Sequence, residues 1–103
     1  MASRPNRQPN LREILALVAR TYSIPQSELK SQTRRQSIVA ARAMFAYLAR
    51  ELAGASYQQI GQALGGRDHT TIMHSYRKID RNRTRDPVIQ EEIDELSRIL
   101  LSR

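Results

Sequence analysis

In the run Gly65-Gly66-Arg67-Asp68-His69-Thr70-Thr71, four polar side chains follow the turn Gly65-Gly66-Arg67 and open a segment whose apolar residues Ile72, Tyr76 and Ile79 recur at helical spacing. Their chemistry suits the edges of base pairs. Aspartate accepts from cytosine N4, threonine hydrogen-bonds or sets its methyl on the thymine methyl, and histidine does either. Asp68 and Thr71 could serve only as helix caps, but capping leaves His69 and Thr70 unexplained. The same residues fit a metal site poorly. His69 and His74 are five positions apart, about 500° of helix, which sets them roughly 140° apart around the axis. The chain has no other histidine and no cysteine. The phosphate-loop pattern GxxxxGK[ST] is also absent, so neither a metal nor a nucleotide cofactor is expected, no residue is assigned a catalytic role, and the chain does not read as an enzyme.

Cations surround this run: Arg34, Arg35, Arg42, Arg50, Arg67, Arg77 and Lys78. Arg42 and Arg50 are eight residues apart, about 800° of helix and hence within roughly 80° of each other, where they could follow one phosphate backbone. Arg34 and Arg35 lie on a loop, the kind of arm that enters a narrow, negative minor groove.

The elements that must position these groups are all helices. Asn10 with Glu13 makes a capping box for a first helix carrying Leu11, Ile14, Leu15 and Val18 and running to about Tyr22. Pro25 opens a short second helix over 26–30, and 31–36 is a basic loop. From Ser37 to about Ala53, Ile38, Ala41, Phe45, Leu48 and Leu52 mark the longest helix, which Gly54 ends. Ser56 with Gln59 caps a helix to Leu64; Asp68 caps the next, to about Arg81; Asp86-Pro87 starts a last helix with the stripe Ile89, Ile93, Leu96 and Leu100. The expectation is an all-α bundle of about six helices over residues 10–103, with a helix-turn-helix at about 56–81 and residues 1–9 a flexible tail or linker end.

Composition agrees with a polyanionic partner. Seventeen Lys and Arg against ten Asp and Glu leave a net charge of +7. Up to Pro87, fifteen basic and six acidic residues leave +9; the remainder, with two basic and four acidic, carries −2. No apolar run approaches the roughly 20 residues that span a bilayer, and MASRPNRQPN lacks the apolar core of a signal peptide. A soluble, cytoplasmic, nucleoid-associated protein is expected, with no membrane or small-molecule partner.

The segment from Arg34 to Ile79, above all GGRDHTT with the following Ile72-Met73-His74 and the Ala49-Arg50-Glu51-Leu52 run, closely resembles the C-terminal DNA-binding domain (domain IV) of the DnaA family of bacterial replication initiators. That resemblance implies a Trp-repressor-like helix-turn-helix that binds asymmetric A·T-rich boxes in double-stranded DNA at an origin or promoter, one monomer to a site. It implies base contacts from Asp68, His69 and Thr70 in the major groove and from Arg34 in the minor groove. It likewise implies phosphate contacts from Arg42, Arg50, Thr71 and Lys78; Arg35, Tyr57, Gln58 and Arg67 beside them complete the expected backbone-facing set. The sequence departs from the family at Thr33, which interrupts a basic run, and at Ala43, Tyr57 and Gln58, where Gln, Leu and Pro are common, so the preferred box is expected to be shifted.

Two other classes compete. A stand-alone transcriptional regulator would use the same fold without origin function, and a protein-interaction module would add the acidic last helix, with Glu91, Glu92, Asp94 and Glu95, as its face, although acidic residues near a helix N-terminus also serve the helix dipole. RNA binding would call for exposed stacking rings, and Phe45 and Tyr76 read as core.

Overall fold

A computed structural model describes residues 8–102. Six helices follow one another: α1 Leu11–Thr21, α2 Gln26–Leu29, α3 Gln36–Ala53, α4 Tyr57–Ala63, α5 His69–Asn82 and α6 Pro87–Leu101. The described residues contain no strand, and none of their helices is long and apolar enough to cross a membrane.

Local chemistry sets the helix ends. Asn10 Oδ1 accepts from the Glu13 amide at 2.8 Å while Glu13 Oε1 accepts from the Asn10 amide at 3.0 Å, so two of the orphan N–H groups of α1 are satisfied reciprocally. Ser56 and Gln59 do the same for α4 at 3.0 and 2.9 Å. Asp86 caps α6 through the Val88 amide at 3.0 Å, with Pro87 filling a position that needs no donor.

The helix α3 is the axis of the molecule and contacts each of the other five helices. Every residue from Ala41 to Ala49 is buried, so this helix has no solvent face over more than two turns. Its alanines let neighbouring backbones come close, and Phe45 fills the centre with no exposed surface. Burying a side chain of that size contributes about 1.5–3 kcal/mol. Ile14 and Val18 of α1, Ile60 of α4, Ile72 and Ile79 of α5, and Ile93, Leu96 and Leu100 of α6 complete one core.

One boundary differs from expectation. Residues 1–7 of the expected tail lie outside the described residues, but Pro9 is fully buried, and Gln8 and Pro9 line a shallow cavity with Ala53, Ala55 and Gln59. A proline has no N–H to satisfy, so its ring can pack there without a buried donor.

Candidate nucleic-acid interface

The turn between α4 and α5 is built on Gly61. Its carbonyl accepts from the amides of Gly66 and Arg67 at 3.0 and 2.9 Å, which folds the chain back on α4. A Cβ at residue 61 would stand 2.1 Å from the Arg67 carbonyl oxygen, so only glycine permits this approach. Asp68 then starts α5: its Oδ2 accepts from the Thr70 amide at 2.9 Å, and its other oxygen lies 3.8 Å from His69 Nδ1. Asp68, His69, Thr70 and Thr71 are all exposed, whereas Ile72 is 2% exposed. The first turn of α5 thus projects from a helix anchored by the next residue. Its free N–H groups and the positive end of its dipole attract anions.

Beside this end runs a groove of about 420 Å³, lined by Gln32, Arg34, Arg42, Arg67, Asp68, Thr71 and Ser75 among others. It brings the exposed Arg34, on the extended strip before α3, onto the same face as Asp68 and Thr71. Gln32 and Ser75 were not singled out from the sequence. Ser75 follows Thr71 by four residues and so shares its helix face, which could have identified it; nothing in the residue types marked Gln32. Lys78, one turn beyond Ser75, is exposed and borders a second cavity with Gln36, Ala43 and Met44.

The cations differ in what holds them. Arg35 is exposed and pairs with Glu28 at 3.1 Å, a solvent-screened contact. Arg50 is exposed; its Nη1 donates to the Ala55 carbonyl at 3.1 Å and its guanidinium lies 4.2 Å from the centre of the Tyr57 ring. Tyr57 in turn meets Tyr76 with ring centres 6.0 Å apart, and Tyr76 stacks on Tyr47 at 5.3 Å. The Tyr76 hydroxyl donates to the Glu51 carboxylate, which holds the tyrosine well above its ordinary pKa. Tyr57, noted above as a departure, is therefore the platform under Arg50, and Gln58 next to it is exposed.

Arg42 requires a correction. It was expected to follow one phosphate backbone together with Arg50, within roughly 80° of it around the helix; instead it is 6% exposed and grips the loop before α3. Nε donates to the Leu29 carbonyl at 2.8 Å, Nη1 to Thr33 at 2.8 Å, and Nη2 to Glu28 at 3.1 Å and Ser31 at 2.8 Å. Four of its five N–H groups are thus occupied. The physical reason is that α3 is surrounded, so a cation at this position must find acceptors in the neighbouring chain. Burial, and next the charge of Arg67, lower its pKa from the ordinary arginine value. Arg67, also expected on phosphate, is half-buried and donates to the carbonyls of Leu64 at 2.9 Å and Ser31 at 2.7 Å. Among the described residues no group of three or more His, Cys, Asp or Glu is placed to hold a metal.

Two helices joined by a tight turn, the second presenting a polar first turn beside a groove and a basic rim, define a helix-turn-helix domain. The model of the bacterial dnaA protein helix-turn-helix family matches residues 11–79, and the chain belongs to that family. It is 38% identical over 95 residues to the chromosomal replication initiator protein DnaA of Enterococcus faecalis, covering 92% of this chain and 21% of that protein. The proteins of the same name from Xanthobacter autotrophicus and Levilactobacillus brevis are each 42% identical, over 86% and 77% of this chain. In both cases the match covers 18% of the relative, so the chain spans about a fifth of the length of these proteins.

Proposed function

We propose that this chain binds double-stranded DNA sequence-specifically, recognising A·T-rich boxes of the replication-initiator type at an origin or promoter, in replication initiation or its regulation. The first turn of α5 enters the major groove, where Asp68, His69 and Thr70 meet base edges. Arg34 reaches the adjacent minor groove across the groove it shares with Asp68. Thr71 and Lys78 on α5, Arg50 in the last turn of α3, Gln58 in the first turn of α4, and Arg35 face phosphates. Tyr57 holds Arg50 in place from below. Arg42 serves the loop. One monomer occupies one asymmetric site.

The observation that carries this reading is the exposure of four consecutive polar side chains, from the N-cap Asp68 to Thr71, at the start of a helix whose fourth residue, Ile72, is locked in the core. Capping accounts for Asp68, whose carboxylate accepts from the Thr70 amide, but gives no role to the exposed side chains of His69 and Thr70. Family membership and the +9 charge of the body support the same partner. Electrophoretic titration of a boxed and a scrambled duplex at one fixed salt concentration tests it. Tighter binding to the boxed duplex with one protein per site is expected, and equal affinity for both would refute sequence specificity.

A further inference from the structure

Specificity under the proposed function needs two readers on separate segments, α5 in the major groove and Arg34 in the minor groove. Something must keep them in register. The loop carrying Arg34 is clasped from two sides. From α3, Arg42 takes the carbonyls of Glu28, Leu29, Ser31 and Thr33, the last immediately before Arg34. From the helix-turn-helix, Arg67 takes the Ser31 carbonyl at 2.7 Å while its other terminal nitrogen holds Leu64 at the end of α4. The turn also rests on the loop backbone: a Cβ on Gly65, whose φ is +86°, would stand 2.2 Å from the Lys30 carbonyl oxygen.

The Ser31 carbonyl is therefore a shared acceptor for two arginines that otherwise repel each other. Burial lowers the pKa of both guanidiniums, and the carbonyl oxygens between them are the negative ends that make the arrangement tolerable. A cost of this kind at a solvent-accessible turn is not needed to build the core, which is complete without either head group.

We infer that Arg67 is a positioning residue for base readout: through the Ser31 carbonyl it ties the Arg34 loop to the turn before α5, so that the minor-groove and major-groove readers dock as one rigid unit. The inference rests on the proposed assignment of Arg34. Holding the loop in its bound form reduces the ordering cost of the minor-groove contact. Arg67→Met should therefore weaken what Arg34 contributes and leave what Thr70 contributes.

The test is a double-mutant cycle read as the ratio of affinity for boxed over scrambled duplex. In the parent, Arg34→Ala is expected to lower that ratio by about tenfold. In an Arg67→Met background the same substitution should lower it by less than about threefold, while Thr70→Ala has the same effect in both backgrounds. Gly65→Ala loosens the same seam without touching charge; it should reproduce the reduced Arg34 effect, and it carries the test if Arg67→Met does not fold. An undiminished Arg34 effect in both the Arg67→Met and Gly65→Ala backgrounds overturns the inference, whether Arg67→Met merely lowers the melting temperature or weakens both duplexes equally with a salt slope shallower by about one, as a direct phosphate contact would. If Arg34→Ala leaves the parental ratio intact, the minor-groove assignment itself fails.

Discussion

Replacing Arg42 by methionine separates two roles that predict opposite results. As a phosphate contact, Arg42 would contribute to binding and little to stability. As found, it is the one buried charged residue among those described, and it donates to four carbonyls across residues 28–33. Each such bond contributes about 0.5–1.5 kcal/mol net, more for a charged donor. The Ser31 carbonyl keeps Arg67, and the part-exposed acceptors regain water, so the loss is less than four full bonds: about 3–5 kcal/mol. Against a domain stability of about 5–15 kcal/mol the fold survives at low temperature. At about 4–8 °C per kcal/mol for a domain of this size, melting should fall by about 12 °C or more. Thermal melting followed by circular dichroism, with affinity measured across a salt series well below the transition, provides both readouts. Melting within about 2 °C of the parent, combined with a salt slope shallower by about one, would refute the structural assignment and restore the phosphate contact.

Thr70→Ala should melt like the parent, because Thr70 is exposed and its amide keeps the Asp68 cap, yet cost about 1–3 kcal/mol of preference for the correct base; an unchanged boxed-to-scrambled ratio would remove Thr70 from base readout. Arg50→Ala should weaken boxed and scrambled duplex alike and make the salt slope shallower by about one, and an unchanged slope would return Arg50 to an ordinary solvated face. Stability should also decline in alkali. Tyr22 is raised by burial and then by the neighbouring Glu92 carboxylate, Tyr76 chiefly by its bond to Glu51, and Tyr47 chiefly by burial. The folded state thus holds these protons more tightly than the unfolded chain, so their contribution is complete below about pH 10 and is lost as pH rises from there toward the folded values. Melting should fall above about pH 10, less steeply in Tyr76→Phe, and a flat profile through about pH 11 would contradict the burial and bonding of these hydroxyls.

The helices were legible because their ends are written in short-range chemistry. Asn10 with Glu13, Ser56 with Gln59, Asp68 and Asp86 all cap as their types and spacing require, since each cap involves residues only two or three apart. The exposed turn at Asp68 to Thr71 followed in the same way from the inward stripe of Ile72 and Ile79. Arg42 was not legible, because the acceptors that define its role lie nine to fourteen positions away. A local clue existed: Ala41, Ala43, Ala46 and Ala49 around it mark a helix that neighbours approach on every side, where an arginine has no route to solvent. Arg67 is a stronger case, since its bond to Ser31 spans 36 residues and arises only when the turn folds against the loop. Tyr57 could be seen as a departure from the family pattern, but its place under Arg50 depends on how α4 leaves α3.

The most direct measurement is a two-dimensional amide NMR titration of the chain with a boxed duplex, residue by residue. Shifts should concentrate at Gly66 to Thr71, at Ser75 and Lys78, and at Gln32 to Arg35, the residues that frame the groove and its rim, with the exposed face of α6 around Glu91, Glu95 and Arg98 left unchanged. Shifts concentrated on that acidic face, with the amides from Gly66 to Thr71 silent, would contradict duplex recognition by the first turn of α5.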